Sequence, residues 1–140
     1  MKVECTPEQV FAVLADPYSY EQWVVGSSET RDADGIWPQV GSTFHHTQFV
    51  PKLGLKDTTS VLECEPPDRI LLCVRARPLV VAEVELRLRG NGIGTSVAMT
   101  ERPVGGIVGP IHNPLFDIGL RIRNAESLRR LKRLAESRTA

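Results

Sequence analysis

The sequence predicts one α+β domain in which a curved antiparallel sheet of about six or seven strands folds around a long C-terminal helix and encloses a mostly apolar small-molecule cavity. Three observations predict it. A capped helix opens near Thr6, a succession of short segments with two-residue hydrophobic periodicity fills the chain from Val24 to Arg102, and an amphipathic helix follows Asn113-Pro114. A chain of 140 residues is the size of a single domain, 1–140, and folding buries roughly 70% of its unfolded surface, enough for a proper core.

The elements follow in order. Residues 2–5 form a short strand that runs into Thr6-Pro7-Glu8-Gln9, where Thr caps, Pro takes the first helical position and Gln completes a capping box. Val10, Phe11, Val13 and Leu14 fall on one side of this helix, Asp16-Pro17 ends it, and a second short helix runs from Tyr20 to Trp23. Turn signals then punctuate the chain at Asp34-Gly35, Pro51 to Gly54, Pro66-Pro67-Asp68, Arg77-Pro78 and Gly90-Asn91-Gly92, dividing about six strands of an antiparallel meander. In the segment from Val80 to Arg89, Ala82, Val84, Leu86 and Leu88 alternate with Glu83, Glu85, Arg87 and Arg89, so one face is buried and the other solvated. Ile70, Leu72, Val74 and Ala76 alternate in the same way with Leu71, Cys73, Arg75 and Arg77.

The final helix carries the most information. At 100° per residue Phe116, Leu120, Asn124, Ser127, Leu128, Leu131, Leu134 and Ala135 share the face that must lie on the sheet. In its first half Leu115, Ile118, Gly119, Ile122 and Ala125 form a second apolar stripe, which asks for cover from the preceding loop or from another subunit, a homodimer through Leu115, Ile118 and Ile122. Its last turns carry Arg129, Arg130, Lys132 and Arg133, charges that complement the carboxyl end of a helix dipole.

Composition narrows the class of partner. Lysine and arginine total 17, as do aspartate and glutamate, and a net charge of zero argues against a nucleic-acid module, which needs a basic surface to displace phosphate counterions. The three cysteines, Cys5, Cys64 and Cys73, are odd in number and lack Cys-x-x-Cys spacing, the pattern of a reducing compartment. With no apolar signal region at the start and no run long enough for a membrane span, the expected location is cytoplasmic.

Six stretches carry a family resemblance. They are Thr6-Pro-Glu-Gln-Val-Phe-Ala-Val-Leu-Ala-Asp-Pro-Tyr, Tyr20-Glu-Gln-Trp, Val40-Gly-Ser, Val61-Leu-Glu-Cys-Glu-Pro-Pro-Asp-Arg-Ile-Leu, Gly94-Thr-Ser-Val-Ala-Met and Arg123-Asn-Ala-Glu-Ser-Leu-Arg-Arg-Leu. In this order and at these spacings the chain resembles the START-related ligand-binding superfamily (SRPBCC), in its polyketide cyclase and dehydrase-like branch. The resemblance implies the helix-grip fold, with an apolar ligand between sheet and last helix and the loop before that helix near the entrance. It does not imply chemistry, because fold does not fix function.

The candidate site residues follow. His45 and His46 are adjacent in a strand, so they point to opposite faces and cannot both ligate one metal. One of them faces the cavity as a polar handle or acid–base group; the plainer reading is a solvated or core histidine. Glu101 shares the period-two register of Val97 and Met99, and a carboxylate beside an apolar cavity is a candidate acid or base, unless it pairs with Arg102 or a helix arginine. Asn124 and Ser127 are polar where a packed core would prefer leucine, so Asn124 either orients a ligand or holds a loop. Trp23, Phe44, Phe49, Met99 and Phe116 line either the cavity or an ordinary core, and Val74, Val84 and Leu120 join the candidate lining from the inward faces of their elements.

No cofactor or metal is called for. With only His112 beyond the paired histidines a zinc site is poorly supported, Gly105-Gly106 lacks the lysine and spacing of a phosphate-binding loop, and no nucleophilic triad assembles. Three functions stay open: a binding protein for a lipid, polyketide or aromatic metabolite; a polyketide aromatase, cyclase or dehydratase using His45 or His46 and Glu101; and an interaction module built on the start of the last helix.

Overall fold

Thr6 caps the first helix. Its hydroxyl accepts the Gln9 amide at 3.2 Å while the Gln9 side chain accepts the Thr6 amide at 2.9 Å, so two N–H groups that a helix start leaves unpaired are satisfied reciprocally. The computed structural model describes residues 1–25, 27–50, 53–76, 80–105 and 114–139, with the side chains of 27–32, 46–50, 53–57, 76, 80 and 114–117 outside that description.

Strand β1 (Lys2–Val3) precedes helix α1 (Pro7–Leu14), which buries Val10, Phe11, Val13 and Leu14. The Asp16 carboxylate accepts the Tyr18 amide at 3.0 Å and starts a 3-10 turn, Pro17–Ser19, that leads into α2 (Tyr20–Trp23). Six strands follow: β2 (Ser27–Ala33), β3 (Thr43–Val50), β4 (Leu53–Glu65), β5 (Arg69–Ala76), β6 (Val80–Gly90) and β7 (Thr95–Gly105), then α3 (Pro114–Thr139). They form one antiparallel curved sheet in the order β1-β7-β6-β5-β4-β3-β2. This is the helix-grip α+β architecture that the alternation and the final helix anticipated.

The turns form where their residues demand. At Pro66-Pro67-Asp68 the Asp68 amide reaches back to the Glu65 carbonyl at 2.7 Å. Between β6 and β7 the Asn91 carboxamide accepts the amides of Ile93 and Gly94 at 3.0 and 2.8 Å, and Gly92 takes φ +88°, which a side chain would resist. Gly94 brings β1 close: a Cβ there would stand 2.4 Å from the Val3 carbonyl oxygen. Beside it the Thr95 hydroxyl donates to the Cys5 carbonyl at 2.7 Å. The Arg77-Pro78 signal lies outside the described residues, and Gly54 of the Pro51–Gly54 signal is paired with Phe49 inside the β3–β4 ladder.

The inner face of the sheet carries Ala82, Val84, Leu86 and Leu88 of β6 with Ile70 and Leu72 of β5, all at most 6% exposed. On the outer face Arg69 pairs with Glu63 and Glu85, and Arg87 reaches Glu85 at 2.6 Å, so the Arg87 and Arg69 guanidiniums hold the Glu85 carboxyl below its usual range. Cys73 keeps its outward register but is buried between its cross-strand neighbours Ser60 and Glu83. Cys5, Cys64 and Cys73 are all free thiols.

Helix α3 lays Ser127, Leu131 and Ala135 against the core. Its C-terminal end is tied down: Glu136 accepts the Glu4 amide at 2.9 Å, Arg138 meets Asp16 at 3.0 Å, and Thr139 lies 3.4 Å from the Cys5 sulfur. Ile118 and Ile122, near its start, are 53% and 65% exposed, so within one chain the second apolar stripe is not covered at these positions. Among the described residues no helix is long and apolar enough to cross a membrane.

Candidate functional site

One wall of the central cavity is aromatic, and the carbonyl that ends α1 organises it. The Leu14 carbonyl lacks a full set of helix partners, and it accepts the Tyr20 hydroxyl at 2.8 Å and the Trp37 indole N–H at 3.0 Å. Both rings are thereby fixed against Phe44, at centroid distances of 5.1 and 4.7 Å, while Trp23 packs on Tyr20 at 4.9 Å. Burial, with smaller contributions from Cys64 and Asp16, pushes the Tyr20 phenol well above its ordinary pKa, so it serves as a neutral donor.

The sheet supplies the opposite wall. Thr59 of β4, Leu72 and Val74 of β5, Val84 of β6, and Met99 and Glu101 of β7 face the aromatic cluster. Val24, Arg123 and Ser127 close the cavity, whose volume is about 40 Å³. That is ample for a water molecule, and well short of the roughly 300 Å³ at the lower end of sites for drug-sized ligands.

The polar end lies where β7 meets α3. Glu101, its side chain 9% exposed, has its two carboxylate oxygens 3.4 and 3.5 Å from Nη1 of Arg123. Arg123 Nε donates to the Val25 carbonyl at 3.0 Å, and the Val25 amide donates to the Ser127 hydroxyl at 3.1 Å. Two side chains one helical turn apart on α3 thus hold both backbone groups of Val25, fixing the chain that leaves α2 and the Trp23 wall with it.

Beyond Met99 and Glu101 a larger groove opens between β7 and α3, about 540 Å³, bordered by Thr100, Leu120, Arg121, Asn124, Ala125 and Leu128. Met99 and Glu101 line both spaces, so they form the partition between cavity and groove. Trp23 Nε1 and Asn124 Oδ1 are buried polar atoms without a hydrogen-bond partner among the described residues.

Of the residues singled out from the sequence, Trp23, Phe44, Val74, Val84, Met99 and Glu101 meet around the cavity, while Leu120 and Asn124 border the groove. His45 is exposed on the face opposite buried Phe44 and is not among the residues that line the cavity, because strand alternation sends the two neighbours to opposite sides. His46 sits in β3 opposite Asp57, with its side chain outside the described residues, as are those of Phe49 and Phe116, and His112 lies outside them entirely. Among the described residues no group of three histidine, cysteine or acidic side chains is placed to hold a metal.

Sequence reasoning passed over Tyr20, Val24, Thr59, Leu72 and Arg123 as cavity residues. For Arg123 a signal existed: it lies about 40° from Ser127 on the helix, at the edge of the sheet-facing stripe.

The family described as polyketide cyclase / dehydrase and lipid transport matches residues 1–136. The chain belongs to this family. Solved structures agree on the fold. Protein CV1439 from Chromobacterium violaceum is 19% identical, with a TM-score of 0.74 over 97% of this chain and 93% of that one. Protein NE0264 from Nitrosomonas europaea is 17% identical, with a TM-score of 0.76 over 99% and 92%. The di-domain ARO/CYC protein StfQ from the steffimycin biosynthetic pathway is 14% identical, with a TM-score of 0.75 over 99% of this chain and 49% of that one. Among curated proteins none matches significantly in sequence.

Proposed function

We propose that this family member binds a small hydrophobic or amphipathic molecule, a lipid, polyketide or aromatic metabolite, between the sheet and α3. The observation that carries the proposal is the cavity: walls of aromatic and aliphatic side chains, polar groups gathered at the β7–α3 end, and a partition of two side chains before a groove of about 540 Å³. An apolar enclosure with a few polar groups fixes orientation while burial supplies affinity. The ligand body lies in the groove and one end enters past Met99, whose unbranched side chain shifts readily. The family description, which names both polyketide chemistry and lipid transport, is consistent with this class of molecule.

Val84→Phe tests it. The added ring fills the cavity from β6, and we expect affinity for the neutral fluorescent probe N-phenyl-1-naphthylamine to fall at least about tenfold, with a cooperative melt retained. Unchanged affinity in the folded variant would sink the proposal.

A polyketide aromatase, cyclase or dehydratase is the second reading, favoured by the nearly buried Glu101 carboxylate at the cavity edge, within reach of a bound substrate. On that reading Glu101→Gln abolishes turnover and keeps most of the binding. Self-association through Leu115, Ile118 and Ile122, and the cytoplasmic location suggested by the free thiols Cys5, Cys64 and Cys73, complete the proposal.

A further inference from the structure

The two halves of the ion pair at the polar end are unequally served. Arg123 spends Nε on the Val25 carbonyl at 3.0 Å, yet its Nη1 approaches the Glu101 oxygens only to 3.4 and 3.5 Å. A guanidinium–carboxylate bond of full strength is close to 2.7–2.9 Å, so Arg123 compensates the charge of Glu101 without filling its lone pairs. Among the described residues Arg123 is the sole ion-pair and hydrogen-bond partner of this carboxylate, whose side chain is 9% exposed. A carboxylate has room for about four hydrogen bonds, and among the described residues Arg123 fills at most two of them. Its neighbours on the wall, Met99 and Val84, carry no donor.

We infer that the ligand carries a neutral hydroxyl, phenolic or alcoholic, on its apolar body, and that Glu101 reads it by accepting its hydrogen bond. The inference rests on the binding reading given above. Charge decides between ligand classes. The Glu101–Arg123 pair is neutral as a whole; on the cavity side of the partition a ligand carboxylate would set a second anion beside Glu101, an ammonium would set a second cation beside Arg123, and either leaves net charge against Val74, Val84 and Met99, the further cation Arg121 bordering the groove side alone. A hydroxyl brings a donor and no charge, and an O–H···O⁻ bond is short and strong. Position agrees, because Glu101 lines both cavity and groove: a hydroxyl at the partition reaches it while the apolar body occupies the space beyond.

Calorimetric titration of the full chain at neutral pH with 2-naphthol, 2-methoxynaphthalene and 2-naphthoate tests this. The wild type binds 2-naphthol about tenfold more tightly than the methyl ether, the discrimination expected of one hydrogen bond to a charged acceptor. In Glu101→Leu that ratio falls to about unity with affinity for the ether retained. In Glu101→Gln, which keeps a neutral acceptor and the shape of the side chain, it falls to about threefold. Equal wild-type affinities for naphthol and ether, or naphthoate as the tightest of the three, overturn the hydroxyl inference and leave the binding reading standing. Failure of all three to bind a protein with an intact melting transition overturns both.

Discussion

Tyr20 shows how one buried group ties the aromatic wall to pH. Its hydroxyl is spent on the Leu14 carbonyl, and burial raises its folded pKa far above the unfolded value near 10. The folded protein therefore holds the proton more tightly than the unfolded chain does, so the stabilisation is fully present below that value and is lost as pH rises above it. Tyr18→Phe leaves Tyr20 as the sole tyrosine. In an alkaline titration of that variant, phenolate absorbance should appear together with loss of the far-ultraviolet circular dichroism signal; phenolate formed in a still folded protein would contradict the burial argument. Arg123 makes the second residue-scale case. It holds the Val25 carbonyl as well as facing Glu101, so Arg123→Leu should destabilise by about 2 kcal/mol in urea denaturation, and Glu101→Gln by about 1 kcal/mol or less. Equal effects would mean that the Val25 bond contributes nothing.

At the scale of elements, β1 owes its place beside β7 to Gly94 and Thr95. A Cβ at Gly94 meets the Val3 carbonyl oxygen at 2.4 Å, a backbone atom that cannot swing aside, whereas at Gly35 it meets nothing within 4 Å. Gly94→Ala should therefore lower the urea unfolding free energy by about 2 kcal/mol, and Gly35→Ala should change it little. Similar effects at both positions would show that β1 yields freely. Much of this scale was legible in the sequence. The capping box at Thr6 and Gln9, the alternation of Ala82, Val84, Leu86 and Leu88, and the helical spacing of Ser127, Leu131 and Ala135 each follow from chemistry within a few residues.

For the molecule as a whole, the last turns of α3 are tied to the start of the chain. Glu136, Arg138 and Thr139 bind its last turns to the first sixteen residues, whereas Ile118 and Ile122 near its start stand in solvent. Pairing of two copies through this stripe would cover both isoleucines. Sedimentation at several protein concentrations should then give a dimer for the wild type and a monomer for Ile118→Glu. An identical mass for both would remove self-association from the proposal.

Chemistry between near neighbours settles helix starts and stops, the inward face of β6, the sheet-facing stripe of α3 and the turn at Asn91 to Gly94, and all of it can be read from the residues alone. The sequence also brought Trp23, Phe44, Val84, Met99 and Glu101 into consideration, because inward register and residue type are local properties. What faces them depends on the assembled fold. Glu101 and Arg123 are 22 positions apart, and Val25 and Ser127 are 102 apart, so their meeting depends on how α3 crosses the sheet, which no periodicity encodes. The same crossing leaves a cavity of about 40 Å³ behind Met99 and a groove of about 540 Å³ in front of it. A pattern of polar and apolar residues specifies which side of an element is buried, but the space between two buried sides is set by the separation and angle of the elements, and those are settled by all the packed side chains together.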